Sequence, residues 1–248
     1  MSTLDERSRA VTSNQTTTET GEQMREPMLA TTRGGRGVLM ALALLTIVGI
    51  ADYLLNLTAL HFLRPDVNPV AEPISTYGAV GSYGFLFITA LLGSGLGALA
   101  LAFGLYLGMV LSARAYIGLL LLGLYGVSEL LAGLFPMDVG AEATLNGTIH
   151  NIVGNLAFFG FPLGVILLSL AMGKHERWRS LRGTALAASF AVVLTVILTM
   201  VGSNIGLFGV TQRLANFTAL VWMLLVAIRL RSVGGTRREH TAEPKEIS

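Results

Sequence analysis

Residues 84–111, GFLFITALLGSGLGALALAFGLYLGMVL, decide the fold: 28 consecutive positions carry no charged side chain. A helix crosses a hydrocarbon core about 30 Å thick with roughly 20 apolar residues, so this run spans a bilayer with length to spare for tilt. A lone strand would leave unpaired backbone groups in lipid, so the run must be helical. Five further apolar runs flank it: Gly37–Leu60, Ala115–Phe135, Gly147–Met172, Gly183–Ser203 and Phe208–Leu230. The expected fold is all-α, a six-helix transmembrane bundle over residues 37–231. Polar tails, 1–36 and 232–248, are expected to be disordered and cytoplasmic.

The composition agrees. Of 248 residues, 52% are apolar and 13% charged, and the mean hydropathy is +0.65; soluble domains carry about 25% charge. The absence of cysteine excludes disulfides, thiol nucleophiles and thiolate metal sites. The net charge of +2 is scattered over the ends of the apolar runs, a topology signal rather than a phosphate-binding patch, so no nucleic-acid partner is expected. Residues 1–36 are too long and too acidic for a signal-peptide n-region, and no small-residue cleavage site follows the first run, which is read as a retained helix.

Orientation follows from lysine and arginine. Fifteen of the 17 basic residues fall on one side of a six-span topology, in the two tails, at Arg114, and from Lys174 to Arg182; only Arg64 and Arg213 fall on the other. The positive-inside rule places both termini in the cytoplasm, in a cytoplasmic membrane. Tyr77 and Tyr83 are expected at the outer interface, Tyr116 and Trp178 at the inner one. Gly93-x-x-x-Gly97, Gly104-x-x-x-Gly108 and Gly160-x-x-x-Gly164 let helix backbones approach closely. Their first use is packing within the chain; a homo-oligomer seam is the second. Pro162 should kink the fourth span and free the Phe158 carbonyl.

Ionisable groups in a bilayer are costly and mark function. Asp52 lies sixteen residues after Arg36, Glu129 fifteen after Arg114, and Arg213 sixteen before Arg229. At 1.5 Å per residue, all three lie roughly 22–24 Å from the inner boundary, at one level. Asn56, Asn216, Asn151 and Asn155 sit at helical spacing from one another or from these charges, so four helices present polar stripes near the outer surface. Two arrangements answer to this: a plug in which Asp52 or Glu129 neutralises Arg213, or a ligand-binding pocket formed by Asp52, Asn56, Ser75, Asn151, Asn155, Arg213 and Asn216. Tyr53, Tyr125 and Trp222 read as packing residues. No paired-histidine spacing supports a metal site, and no cofactor is implied.

The outer loops add chemistry. Three prolines, Pro65, Pro69 and Pro73, exclude a regular helix after the first span and suggest a rigid lid. Asp138 and His150 bracket the loop between the third and fourth spans, so that carboxylate and imidazole can meet above Glu129. Asp138, His150 and Glu129 are therefore the catalytic candidates. Asp138 acting only as a helix cap, with His150 on a loop carbonyl, is the alternative.

Several of these motifs occur together in a known family. Pro73-Ile-Ser75-x-x-Gly78, Phe135-Pro136-x-Asp138 followed by Thr144-x-x-Gly147-x-x-His150, and Gly209-x-x-x-Arg213 with Trp222 resemble the bacterial and archaeal membrane proteins grouped as domain-of-unknown-function family 998. The resemblance covers roughly residues 38–230 and implies a compact helical membrane domain, with no established activity. The family pattern often places an acid before the last-span arginine; here that position is Gln212. The reading reached is a multi-pass membrane protein with an outward polar pocket for a small polar or lipid-headgroup ligand. A membrane-embedded hydrolase or transferase, a proton- or cation-coupled transporter, and a structural or assembly factor are its rivals.

Overall fold

The computed structural model describes residues 33–140 and 142–235; most of both expected tails lies outside them. Six helices are long and apolar enough to cross a membrane. They are α1 (Arg33–Leu63), α3 (Gly84–Gly108), α4 (Ala113–Leu134), α5 (Leu145–Ala171), α7 (Arg182–Gly202) and α8 (Phe208–Gly235). Two single-turn helices, α2 (Thr76–Ala79) and α6 (Glu176–Arg179), lie in the connections, and a 3-10 turn, Met172–Lys174, precedes α6. The described residues contain no strand. The expected spans are all present, with ends shifted by a few residues; the second stops at Gly108, three residues before the expected Leu111.

Consecutive spans pack side by side, and α8 closes back onto α1, so the six helices form a closed ring; α3 also touches α8 across it. Missing side chains set the closest crossings. A Cβ on Gly49 would lie 2.1 Å from the Gly93 carbonyl oxygen, and Thr46 Oγ1 donates to the Gly97 carbonyl at 2.9 Å. Gly95 meets Gly126, and Gly164 meets Gly118 and Leu121; Gly104 and Gly108 face Leu230. Each of the three Gly-x-x-x-Gly faces thus packs against helices of this same chain. Lower in the ring, hydroxyls stitch helices together: Trp222 Nε1 donates to Ser169 at 3.1 Å, Ser169 pairs with Ser189 at 3.0 Å, and Thr195 with Thr218 at 2.9 Å.

At the end holding the 172–182 connection, Trp178 is fully buried and donates through Nε1 to the Gly108 carbonyl at 3.0 Å, while Arg229 Nε donates to the Arg177 carbonyl at 2.8 Å. Trp178 is therefore a packing anchor and not the expected interfacial belt residue; Tyr116, 54% exposed, lies on the surface. The same division appears at the opposite end. Tyr83 is on the surface, but Tyr77 is 1% exposed and belongs to the core.

Candidate functional site

The connection from Arg64 to Tyr83 forms a lid over one end of the ring, and each part of it is fastened. Arg64 is 4% exposed; its Nη2 pairs with Asp66 at 2.8 Å, and its Nη1 donates to the Val80 and Ser82 carbonyls. The turn wraps the guanidinium so closely that a Cβ on Gly81, which has φ +77°, would lie 2.9 Å from Cζ. Beside this cation the Asp66 carboxyl is held below its ordinary value. The middle of the lid is clasped by α8. Val210 N–H donates to the Val70 carbonyl at 3.0 Å, Gln212 Oε1 accepts from Ile74 N–H at 2.9 Å, and Arg213 Nη1 donates to the Glu72 carbonyl at 2.9 Å. Gly209 makes room: its Cβ would be 2.3 Å from the Glu72 oxygen.

This changes the reading of Arg213. Among the described residues it has no carboxylate partner; its contacts are the Glu72 and Gly209 carbonyls, the Tyr77 hydroxyl at 3.5 Å and the Tyr77 ring, 5.6 Å from Cζ to the centroid. The ion-paired plug with Asp52 or Glu129 does not form. Asp52 turns away to α3: its Oδ1 accepts from Asn56 at 2.8 Å, and its other carboxylate oxygen would lie 2.5 Å from a Cβ on Gly93. Asp52 and Asn56 line neither the cavity that holds Glu129 nor the groove that holds Arg213.

Under the lid lies a cavity of about 110 Å³, lined by all six spans and by Ile74 and Ser75 of the lid. A water needs about 10–15 Å³ of such space, so the cavity holds several waters or one small polar group. Its polar lining is Tyr53, Ser75, Tyr125, Glu129, His150, Gln212 and Asn216. Asn216 donates to the Tyr53 hydroxyl at 3.0 Å, and Tyr125 and Ser94 share a 3.4 Å contact. The Ser94 hydroxyl also adjoins the Glu129 carboxyl, which has no cationic partner among the described residues. An acid without a cation in a membrane interior is neutralised by a proton or met by water or a ligand. Tyr53 and Tyr125, read from the sequence as packing residues, supply two of the hydroxyls here.

Asp138 and His150 bracket the α4–α5 loop without bonding each other. Asp138 receives the Thr144 N–H at 3.0 Å and the Thr144 hydroxyl at 2.5 Å, and a Cβ on Gly147 would lie 2.0 Å from it. Chiefly the Thr144 hydroxyl, and then its N–H, hold the Asp138 carboxyl below its ordinary value. Its contribution to the start of α5 is therefore present at neutral pH and lost as pH falls through that lowered value. The His150 ring instead meets the Phe135 carbonyl through Nδ1 at 2.8 Å. A carbonyl only accepts, so Nδ1 carries a proton, and Nε2 has no partner among the described residues. His150 and Glu129 line the one cavity; Asp138 is not among its lining residues. The helix-cap alternative describes this pair.

The arrangement can now be placed among known proteins. The model of the family described as "Protein of unknown function (DUF998)" matches residues 46–229. The chain belongs to the DUF998 family. No curated protein and no solved structure matches it. The motif residues that carry the DUF998 resemblance have structural work in view: Gly209 and Arg213 clasp the lid, Gly78 seats against the Phe87 ring, and Asp138, Thr144 and Gly147 start α5. Where the DUF998 pattern often has an acid, Gln212 retains an acceptor oxygen for Ile74 N–H.

Asn151 and Asn155 are exposed and line a second cavity of about 430 Å³ beside α5 and α7, which shares Ser75, His150, Gly154, Phe158 and Gln212 with the first. No cluster of three His, Asp or Glu side chains suited to a metal ion occurs among the described residues. Pro162 lines the central cavity within a continuous α5.

Proposed function

We propose that the lidded cavity faces the outer side of the membrane and binds one small polar group, free or on a lipid head. The supporting observation is convergence. Tyr53, Ser75, Glu129, His150, Gln212 and Asn216 come from different elements onto one cavity, and Glu129 has no cation there. Binding pockets are built this way, with mostly apolar walls and a few polar groups that fix orientation. Native mass spectrometry of the gently purified full chain tests it. A discrete bound mass is expected on the wild type and lost in Glu129→Leu; wild-type protein without any adduct contradicts the reading.

The orientation is part of the proposal and rests on the basic residues. A reporter fused after Ser232 is expected in the cytoplasm, and one inserted at Ala143 outside. The reverse pattern, or both on one side, overturns it.

An enzymatic use is the second reading, and His150 favours it. With Nδ1 held by a backbone carbonyl, the ring is fixed at the cavity that Glu129 and Ser75 also line, where Nε2 is placed for proton transfer. Asp138 then acts as a positioning residue that sets where α5 begins.

A further inference from the structure

The second cavity combines apolar walls with a row of uncharged polar side chains. Its walls beside α5 and α7 are apolar, with Phe159 52% and Met200 51% exposed, yet its lining includes Ser75, His150, Asn151, Asn155 and Gln212 and no charged side chain. These groups hold unused bonding capacity among the described residues. Ser75 makes no side-chain cap bond, Gln212 uses only its oxygen, and Asn155 uses only its amide nitrogen, on the Asn151 carbonyl of its own helix. Asn155 is ten residues into α5, about 15 Å below its start at 1.5 Å per residue. Centred upright on a 30 Å core, a helix of 27 residues, about 40 Å long, overhangs by about 5 Å at each end and carries Asn155 about 10 Å inside the hydrocarbon. Exposed amides at that depth find no partner in neighbouring acyl chains.

The occupant must therefore be apolar along one side and hydrogen-bonding along the other, and its polar part must be uncharged. A phosphate carried to that depth would need a cation. Arg213 does not supply one: it is bound to lid carbonyls and lines a different groove, beside α1 and α8. Gly154 lines both cavities, and a Cβ there would meet nothing within 4 Å, so no side chain fills the space at the point they share.

We propose that the central cavity is loaded from the bilayer through this α5–α7 portal by a lipid with an uncharged, glycerol-type head. Its hydroxyls and ester meet Asn151, Asn155, Ser75 and His150, and its chain lies against Phe159 and Met200. The inference rests on the cavity binding a polar group, and it names the class of molecule that carries that group.

The test uses the full chain reconstituted in phosphatidylcholine vesicles with a monoacylglycerol bearing a diazirine in its chain, and with a lysophosphatidate of the same chain. Photolabelling by the monoacylglycerol is expected on residues 151–159 and 199–203, and to exceed that by lysophosphatidate at least about tenfold, because the phosphate brings into the groove a charge that no cation there meets. Gly154→Phe, which fills open space, and Asn155→Leu are expected to lower it at least about fivefold while leaving the thermal melt unchanged. Equal labelling by the two lipids, labelling unchanged in Gly154→Phe, or no labelling of the groove overturns the proposal. If the groove is unlabelled while native mass spectrometry still finds a bound mass that Glu129→Leu removes, the portal is wrong and the cavity stands; loss of both results removes the cavity reading itself.

Discussion

Replacing Gly49 by valine is expected to abolish recovery of folded protein. The α1–α3 crossing is a backbone-on-backbone contact: a Cβ at Gly49 would stand 2.1 Å from the Gly93 oxygen and 2.9 Å from the Gly93 carbonyl carbon. Neither atom can rotate away, so α1 must move. Moving it breaks the Thr46–Gly97 hydrogen bond and shifts Tyr53, which lines the cavity on that same helix. Overpacking a core with flexible neighbours costs about 1–3 kcal/mol, and a rigid backbone neighbour exceeds that range. Gly123→Val is the control, since a Cβ there meets nothing within 4 Å. The measurement is monodisperse yield and melting temperature in mild detergent. A Gly49→Val protein that matches wild type in both contradicts the packing described here.

The second large effect is local. Gly209→Val is expected to lift the lid while leaving the bundle folded. The added Cβ would meet the Glu72 oxygen at 2.3 Å and the Pro69 oxygen at 2.7 Å, the same carbonyl region that Arg213 grips. Displacing it removes the Arg213–Glu72 and Gln212–Ile74 bonds together. Hydrogen bonds to charged groups contribute about 1.5–3 kcal/mol and neutral ones about 1 kcal/mol, so the clasp is worth roughly 3 kcal/mol. That corresponds to a rise of about a hundredfold in lid opening, at 1.4 kcal/mol per factor of ten. Hydrogen exchange by mass spectrometry reads this out: amides in residues 70–78 should exchange faster while the spans stay protected. Unchanged protection of residues 70–78 would show that α8 does not hold the lid.

The polar residues of the spans were legible in the sequence, and their faces were not. Counting from the basic anchors places Asp52, Glu129 and Arg213 at one depth, because helical rise is uniform. Which of two adjacent residues faces the interior depends on how a helix is rotated. On α1 the α3 crossing at Gly49 settles that, turning Tyr53 inward and Asp52 toward Gly93. Tyr53 and Tyr125 sit among apolar neighbours in sequence, so their hydroxyls looked incidental.

Arg213 shows a different limit. A buried arginine invites a search for carboxylates, since those are the acceptors a sequence displays. Its acceptors are backbone carbonyls of the lid, which every residue owns and no motif marks. The prolines did indicate an irregular lid, and Gly209-x-x-x-Arg213 was visible as a motif; that the two fasten to each other is a fact of the fold. Asp138 and His150 illustrate the converse. Their spacing around one loop was read correctly, but a Thr144 N-cap and a Phe135 carbonyl lay nearer to each than they did to one another.

The central claim is that polar side chains beneath the lid enclose space reached from outside the cell. The chain contains no cysteine, so Gly154→Cys places a single thiol where both cavities meet and where nothing crowds it. A membrane-impermeant thiol reagent added to intact cells should modify Gly154→Cys, as it modifies the loop variant Ala143→Cys. Modification of Ala143→Cys alone, with Gly154→Cys unreactive from outside or reactive only after the membrane is opened, would contradict the account.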